Sequence, residues 1–246
     1  MTHSCLITGN HLADVVLRYG RGAVGELVVV RGGSSRGLAR VVKLAERSRV
    51  PVRWVDADAM RRLTGEASAD IALTLAERKP TVVDDVLPPA PDPALLLVLE
   101  GVEDPHNVGE ILRTAWAADV HVVVLEHHAA AMPRDLLARS SAGASECLPL
   151  VFSANLPATL RSLRRFSVET LAASPEADER LFDVEFPDRV AVVVGGEHRG
   201  LSRAVASACA RHVTVPTARE VQSLSASSSA AVMLFEMVRR RGGGAT

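Results

Sequence analysis

Apolar residues in the first 80 positions alternate between helical and extended spacing. Three segments repeat apolar side chains every three to four residues, and β-branched or alternating apolar runs lie between them. The predicted helices are HLADVVLRY, LARVVKLAERS and DADAMRRLTG, and the predicted strands are ELVVVRG, PVRWVD and ADIALTLAE. Strands that alternate with helices in this way predict a small α/β domain over residues 1–80.

The segment 81–93 breaks this pattern. It reads TVVDDVLPPAPDP and contains four prolines and three aspartates without periodicity. Prolines interrupt both helices and sheets because they lack a backbone N–H donor. We therefore expect a linker over residues 81–93 and a domain boundary there.

From residue 94 onward the predicted strands are more apolar. The runs ALLLVLE, HVVVLE and RVAVVVGG are continuous, which is typical of parallel strands covered on both faces. The predicted helices between and after them are VGEILRTAWAAD, PRDLLARSSAG, NLPATLRSLRR, LSRAVASACA and residues 227–241. We expect an α/β domain over residues 94–246 with a largely parallel sheet. Ligands in such sheets bind at the carboxyl ends of strands, so the loops there are candidate sites.

The charge of the chain is nearly balanced, but its distribution is uneven. The chain has 28 basic and 29 acidic residues and a net charge of −1. Residues 18–62 contain eleven of the basic residues and four of the acidic ones. Such an excess can collect the phosphates of RNA, although a solvated helical surface has the same composition. The candidate RNA contacts are Arg18, Arg21, Arg31 and Arg36.

Composition argues against several other classes of protein. No segment approaches the roughly 18 to 20 apolar residues of a membrane span, and the N-terminal residues do not resemble a secretory signal. We therefore expect a cytoplasmic protein. The three cysteines lie far apart, which argues against a disulfide framework or a zinc site. A cluster of His121, His127 and His128 lacks the carboxylate or cysteine spacing of a metal site, so no metal is expected.

Three loops that follow predicted strands carry candidate chemistry. In GVEDPHNVGEILRTA, Asn107 can cap the following helix and Arg113 lies in its second turn. In GGEHRGLS, a glycine pair can expose backbone N–H groups, as in nucleotide-binding loops, and Glu197 needs a partner such as Arg113 or a ligand. The third loop, VPTAREVQSLSASSS, supplies hydroxyl groups at a helix entry. Each loop taken alone also fits ordinary turns and helix caps, and the glycine spacing differs from the GxGxxG of a dinucleotide-binding oxidoreductase.

Taken in order, the three loops resemble the three motifs of the SPOUT methyltransferases, in the TrmH/SpoU branch that methylates ribose 2′-hydroxyls of tRNA or rRNA. The run from Glu103 to Ala115 resembles the first motif, GGEHRGLS the second, and VP followed by SLSAS the third. The segment SSAGASECLPL resembles a stretch that the family carries between the first two motifs. The resemblance covers residues 94–246, and residues 1–80 are similar to the family's small L30e-like substrate domain.

The resemblance implies a fold, a cofactor and partners. The fold is α/β, with a SPOUT domain tied in a deep trefoil knot behind an L30e-like RNA-binding domain. The cofactor is S-adenosylmethionine, the substrate is RNA, with rRNA favoured over tRNA, and the protein is a homodimer through its C-terminal domain. The implied cofactor-binding residues are Gly195, Gly196, Glu197, Leu201, Val215, Pro216, Ser223 and Leu224.

The resemblance also assigns roles in catalysis. Arg113 is the catalytic residue, and Asn107 and Glu197 position it and the ribose. Since a guanidinium group is not deprotonated in proteins, we expect Arg113 to clamp a phosphate and stabilise the developing alkoxide rather than act as a base. Ser225 stands where the family usually has Asn. That difference keeps open a protein that binds cofactor or RNA without catalysis, and the near-zero net charge keeps open a methyltransferase with a non-RNA substrate.

Overall fold

The computed structural model describes residues 5–197, 199–218, 221 and 223–242. Its strands are β1 (Cys5–Thr8), β2 (Val24–Val30), β3 (Val52–Val55), β4 (Ile71–Leu75), β5 (Ala94–Glu100), β6 (Val122–Glu126), β7 (Leu150–Ser153), β8 (Glu169–Ala173), β9 (Glu179–Arg180), β10 (Arg189–Gly195) and β11 (Arg211–Thr214). Its α-helices are α1 (Asn10–Tyr19), α2 (Leu38–Arg47), α3 (Ala57–Thr64), α4 (Val83–Val86), α5 (Pro105–Ala117), α6 (Arg134–Ser140), α7 (Ala144–Cys147), α8 (Leu156–Leu163), α9 (Arg203–Ala208) and α10 (Ala226–Arg240). Within the described ranges, every helix is too short or too polar to cross a membrane.

The chain forms two compact units. The first comprises the described residues up to Lys79 together with Pro133–Cys147, and the second comprises Pro80–Met132 and the described residues from Leu148 onward. The sequence pattern placed Pro133–Cys147 with the C-terminal domain because it continues the alternation of helices and strands there. In the structure α6 packs on β1, and α7 packs on α1.

The first unit is built on a four-stranded sheet in the order β1-β4-β2-β3. Strand β4 is antiparallel to both β1 and β2, and β3 is parallel to β2. One face of the sheet packs on α1 and α2 through aliphatic side chains such as Leu27, Val29 and Val41. The three predicted helices and three predicted strands of this region are confirmed. Strand β1 is not among the predicted elements.

A buried carboxylate joins α7 to the rest of the first unit. The side chain of Glu146 is 3% exposed and accepts two hydrogen bonds from Arg134, of 3.0 and 2.6 Å, and one of 2.8 Å from Arg78. Burial alone would raise the pKa of Glu146, but the bond from Arg134 and the charges of Arg78 and Arg134 outweigh burial and lower it. Glu146 is therefore held as a carboxylate between two guanidinium groups.

The second unit has a seven-stranded sheet in the order β7-β6-β5-β10-β8-β11-β9. All described strand pairs in this sheet are parallel, which confirms the predicted largely parallel sheet. Residues Leu95 and Leu96 of β5 point to opposite faces by the pleat, yet both are at most 1% exposed. Helices α8 and α9 lie on one face, whereas α5 and α10 pack together and α10 covers β10. Because both faces are covered, the central strands β5 and β10 are almost entirely apolar.

Residues 81–93 are packed on the second unit, although the sequence predicts a linker. Val83 of α4 is 6% exposed and belongs to the same core as β5 and β10. The buried guanidinium of Arg189 donates to the backbone carbonyls of Pro88, at 3.0 Å, and of Asp92. Proline lacks a backbone N–H donor but keeps its carbonyl acceptor. Because the donor to these carbonyls is Arg189, about 100 residues away in the chain, the composition of residues 81–93 alone does not predict that they are packed.

Candidate functional site

The loops that follow β5 and β10 meet at the carboxyl edge of the parallel sheet. Residues Gly195 and Glu100 are register partners at the ends of the two strands, and Gly196 N donates to Glu100 O at 2.7 Å. A Cβ atom on Gly196 would lie 2.1 Å from the Gly101 carbonyl oxygen, and one on Gly195 would lie 2.2 Å from the Gly200 carbonyl carbon. The glycine pair is therefore required for the close approach of two backbone segments.

Two carboxylates at strand ends fix these loops. Glu100 Oε2 accepts a 2.7 Å hydrogen bond from Ser202 N, at the start of α9, and Glu126 Oε2 accepts one of 2.6 Å from Gly101 N. A carboxylate that accepts from backbone N–H forms a charge-assisted hydrogen bond, which is stronger than a neutral one. The edge of the sheet is thus held in one arrangement before any ligand binds.

Asn107 occupies the first turn of α5 without serving as its cap. The cap is Asp104, whose Oδ1 accepts from His106 N at 2.9 Å, with Pro105 next in the chain. This corrects the expectation that Asn107 caps the helix, since the aspartate three residues earlier has the better position. The Asn107 side chain instead donates from Nδ2 to Glu197 Oε1 at 3.4 Å. The first and second sequence motifs are therefore in direct contact.

A first cavity, here the glycine cavity, lies between the ends of β8, β10 and β11 and the entry to α10. Six of the eight predicted cofactor-binding residues line it, namely Gly195, Gly196, Glu197, Val215, Ser223 and Leu224. The backbone groups of Val215, Ser223 and Leu224 make no hydrogen bond to a described residue. A cavity with free backbone donors and acceptors beside small side chains suits a ligand with polar edges, such as a nucleoside.

The other two predicted cofactor-binding residues lie elsewhere. Leu201 packs against the core of the second unit, and Pro216 is half-buried beside the cavity without lining it. The sequence also missed several lining residues. Ala173, Ser174 and Pro175 reach the glycine cavity because β8 lies between β10 and β11 in the sheet, and strand order is not visible in sequence. The others that it missed are Val194, Gly200, Val213, Thr214, Thr217, Ala226 and Ser229.

A second cavity, here the carboxylate cavity, adjoins the first and shares Gly196, Glu197 and Gly200 with it. Its ionisable lining residues are Glu100, Glu103, Asp104, Glu126, His128, Glu197 and Arg199. No group of histidine, cysteine or acidic side chains within the described parts of the chain is arranged to hold a metal ion. The lining instead presents many hydrogen-bond acceptors. Glu103 is free for a ligand, because its side chain bonds to no described residue.

Two predicted catalytic residues lie outside both cavities. Arg113 is exposed on α5, six residues beyond Asn107, and its guanidinium makes no hydrogen bond or ion pair with any residue that the structure describes. Six residues correspond to about 9 Å along the helix axis, so the two side chains leave α5 at different heights and on different faces. Ser225 is the N-cap of α10, where its Oγ accepts from Ser228 N at 3.1 Å. The structure therefore brings Asn107 and Glu197 together but leaves Arg113 and Ser225 apart from them.

The four candidate RNA contacts divide between two edges of the first unit. Strands β1, β2 and β3 run in the same direction, so Arg31 and Arg36, in the loop after β2, lie at the carboxyl edge. Helix α1 starts at this edge and runs about 15 Å back along the sheet, which places Arg18 and Arg21 towards the opposite edge. The side chain of Arg18 also bonds to Asp14 Oδ2 at 3.0 Å. Sequence proximity therefore grouped residues that do not share one surface.

The chain is similar to known proteins over most of its length. The model of the SpoU rRNA Methylase family matches residues 94–235. A 23S rRNA (guanosine-2'-O-)-methyltransferase from Ralstonia nicotianae is 33% identical over 246 residues, with 98% of each chain covered, and one from Xylella fastidiosa is 34% identical over 222 residues, with 88% of each covered. Among solved structures, the SpoU methyltransferase AviRb from Streptomyces viridochromogenes, in complex with AdoMet, aligns with a TM-score of 0.79 and 24% identity over 98% of this chain and 92% of that one. The match of the family model to more than half of the chain, together with these relatives, shows that this protein belongs to the SpoU rRNA methylase family.

Proposed function

We propose that this protein transfers a methyl group from S-adenosylmethionine to the ribose 2′-hydroxyl of a guanosine in 23S rRNA. The observation that carries the proposal is the meeting of two cavities at Glu197. One is lined by glycines and free backbone groups and the other by hydrogen-bond acceptors, so a methyl donor and a nucleotide can bind side by side. Relatives that are 30–34% identical over most of this chain are named as enzymes for guanosine in 23S rRNA.

The glycine cavity fits S-adenosylmethionine. The cofactor supplies an electrophilic methyl group carried on a sulfonium. The backbone groups of Val215, Ser223 and Leu224, which bond to no described residue, would hold its adenine and ribose. The surface without side chains at Gly195 and Gly196 admits a ligand close to the backbone.

The carboxylate cavity would hold the target nucleotide. Guanine presents N–H donors on its Watson–Crick edge, and proteins read unpaired RNA bases through such edges. Glu103, whose side chain is free of described partners, would accept from this edge, and the hydrogen bond between Asn107 and Glu197 would fix the ribose beside the methyl donor. Fixed orientation of the two reactants can supply several kcal/mol of the rate enhancement.

Arg113 would stabilise the charge that develops on the ribose oxygen or on a neighbouring phosphate. Its guanidinium lies outside both cavities of its own chain, and therefore we propose that a homodimer through the second unit completes the site. Support comes from α10, which packs on α5 and leaves Phe235 47% exposed. A second copy that covers this face would shield Phe235 and could bring Arg113 to a partner's nucleotide.

The remaining assignments follow the family. We propose that residues 1–80 bind RNA as an L30e-like domain, that residues 94–246 form the catalytic SPOUT domain, and that the latter contains a deep trefoil knot. The placement of β10 between β5 and β8, with the glycine cavity formed by loops at one sheet edge, is compatible with a knotted chain. A cytoplasmic location is proposed because rRNA is the substrate.

The proposal is tested by transfer of tritiated methyl groups from S-adenosylmethionine to unmodified 23S rRNA, 16S rRNA and tRNA in separate reactions. We expect label in 23S rRNA only, and alkaline hydrolysis should show one protected linkage 3′ of a guanosine. Label in tRNA alone would overturn the substrate assignment. Cofactor binding without label in any RNA would favour a non-catalytic binding protein, and label in a protein fraction would favour a different substrate.

A further inference from the structure

The first unit keeps its aromatic side chains out of its core. Residues 1–79 and 133–147 contain Tyr19 and Trp54 and no other Phe, Tyr or Trp. Their exposed fractions are 58% and 45%, whereas the core of the unit is aliphatic. Aromatic residues usually contribute much of the buried apolar area of a domain. The exposed indole of Trp54 is therefore a candidate for contact with a ligand.

Trp54 lies on β3, the edge strand of the four-stranded sheet. It is paired with Val29 of β2, and the next residue, Val55, accepts a 2.8 Å hydrogen bond from Arg31 N through its carbonyl oxygen. Arg31 therefore follows Val29, the register partner of Trp54, by two positions along the chain. The loop that begins at Arg31 continues to Arg36, so Trp54 and both arginines lie near the carboxyl edge of β2 and β3.

The two arginines beside Trp54 have free guanidinium groups. Arg31 and Arg36 are exposed, and within the described chain neither side chain forms a hydrogen bond or an ion pair. At the opposite edge, Arg18 is bound to Asp14. Free charges and an exposed indole therefore coincide at the carboxyl edge of the first unit, and this edge is the better site for an anionic ligand with aromatic groups.

We propose that Trp54 is a stacking platform for an unpaired nucleobase of the rRNA substrate, with Arg31 and Arg36 holding the adjacent phosphates. This inference rests on the proposed function, because it takes RNA as the substrate. Unpaired bases stack on exposed aromatic side chains, whereas bases inside a duplex have their faces covered. The local excess of basic residues between Arg18 and Arg62 favours RNA over an apolar protein partner for the same indole.

The chain allows a direct test, because it contains only two tryptophans, Trp54 and Trp116. In the full-length Trp116→Phe protein, Trp54 is the sole tryptophan, and its fluorescence is followed during titration with a single-stranded oligonucleotide copied from an unpaired region of 23S rRNA. The same oligonucleotide annealed to its complement is the comparison. We expect quenching by the single strand and little quenching by the duplex.

Affinity is then measured without S-adenosylmethionine for Trp54→Leu, Trp54→Phe and the matched control Tyr19→Leu. Loss of one base stack weakens binding by about 5- to 100-fold, so Trp54→Leu should show a rise of that order in Kd. Trp54→Phe should restore most of the affinity, and Tyr19→Leu should leave it unchanged. Thermal midpoints within a few degrees of the parent would show that each variant is folded.

The outcomes separate this inference from the proposed function. Unchanged affinity in Trp54→Leu, equal quenching by duplex, or no binding of single-stranded RNA by the parent would each overturn the stacking role. Methyl transfer to 23S rRNA by the same preparations would meanwhile uphold the proposed function. Conversely, stacking with no methyl transfer to any RNA would count against the proposed reaction and leave the role of Trp54 in RNA binding intact.

Discussion

Asn107 and Glu197 are 90 positions apart in the chain, and the Asn107 Nδ2 atom lies 3.4 Å from Glu197 Oε1. Asn107 lies in the first turn of α5, which follows β5, and Glu197 lies in the loop after β10. Strands β5 and β10 are parallel neighbours in the sheet. The hydrogen bond thus joins two motifs at the boundary between the glycine cavity and the carboxylate cavity. Glu197 is exposed and Asn107 is half-buried, and both line the carboxylate cavity, so a bound nucleotide can reach them.

Asn107→Asp should abolish most of the methyl transfer, because it replaces an amide donor with a second carboxylate beside Glu197. We expect kcat to fall at least about tenfold, since a lost charge-assisted hydrogen bond is worth roughly 1.5–3 kcal/mol. Affinity for S-adenosylmethionine, measured by calorimetry, should change little. If Asn107→Asp and the double variant with Glu197→Gln were equally active as the parent, the contact would have no part in the reaction.

Arg113→Ala should keep cofactor affinity and lose methyl transfer by about 100-fold or more, the effect of removing one donor that stabilises a developing oxyanion. Cofactor affinity should be kept because Arg113 lines neither cavity. The loss of transfer follows from the proposed homodimer, in which its guanidinium, without a described partner in its own chain, reaches the nucleotide of the second copy. The matched control is Arg161→Ala, which removes an exposed arginine from α8. Turnover equal to that of the control would rule out the role given to Arg113.

Gly196→Ala should eliminate cofactor binding, because the new Cβ would lie 2.1 Å from the Gly101 carbonyl oxygen and force the two loops apart. Calorimetry with S-adenosylmethionine measures the loss directly. Gly22→Ala is the control, since its Cβ would meet the nearest atom at an ordinary 3.7 Å. Normal cofactor affinity in Gly196→Ala would mean that the glycine pair does not shape the cofactor cavity.

Ser225→Ala should lower the free energy of unfolding by about 1 kcal/mol, the usual cost of removing a hydroxyl N-cap. The Ser225 Oγ atom accepts from Ser228 N at the start of α10, and alanine cannot replace this bond. Ser225→Asn should retain stability, because asparagine caps helices as well as serine does. Urea denaturation of the three proteins measures the difference, and a Ser225→Ala protein as stable as the parent would contradict the capping role.

Glu146→Gln should destabilise the protein by about 3 kcal/mol or more, because it leaves Arg78 and Arg134 without their buried counter-charge. The pKa of Glu146 is lowered in the folded state. Its contribution is therefore present in full above the pKa of an unfolded glutamate and is lost as pH falls through the folded-state pKa. The parent should lose thermal stability on acidification below about pH 4.5, and the Glu146→Gln protein should lose less over the same range. Parallel curves for the two proteins would disprove this.

Local pattern was sufficient for most of the fold. Strands β5, β6 and β10 are nearly continuous apolar runs because they are buried on both faces, and this pattern predicts them from the sequence. Strand order in the sheet is a different matter. It depends on which apolar faces pack together, and so the lining residues contributed by Ala173–Pro175 could not be foreseen.

The candidate site was only partly accessible to sequence reasoning. The motifs identified Gly195, Gly196, Glu197 and Asn107, because backbone approach and loop chemistry require particular residue types there. The same reasoning grouped Arg113 with them by order along the chain, whereas helix geometry turns it away. It also proposed Arg18 and Arg31 as RNA contacts of the same domain, and the structure places them towards opposite edges of the first unit.

The inclusion of Pro133–Cys147 in the first unit bears on how this protein can be divided. A gene fragment that ends at residue 80 would encode the four strands and three helices of the unit but not α6 and α7. It would expose the core beside Ala138 and leave Arg78 without Glu146. The first unit is consequently not encoded by one continuous stretch of the gene. Recombination that exchanged it between relatives would have to carry both segments at once.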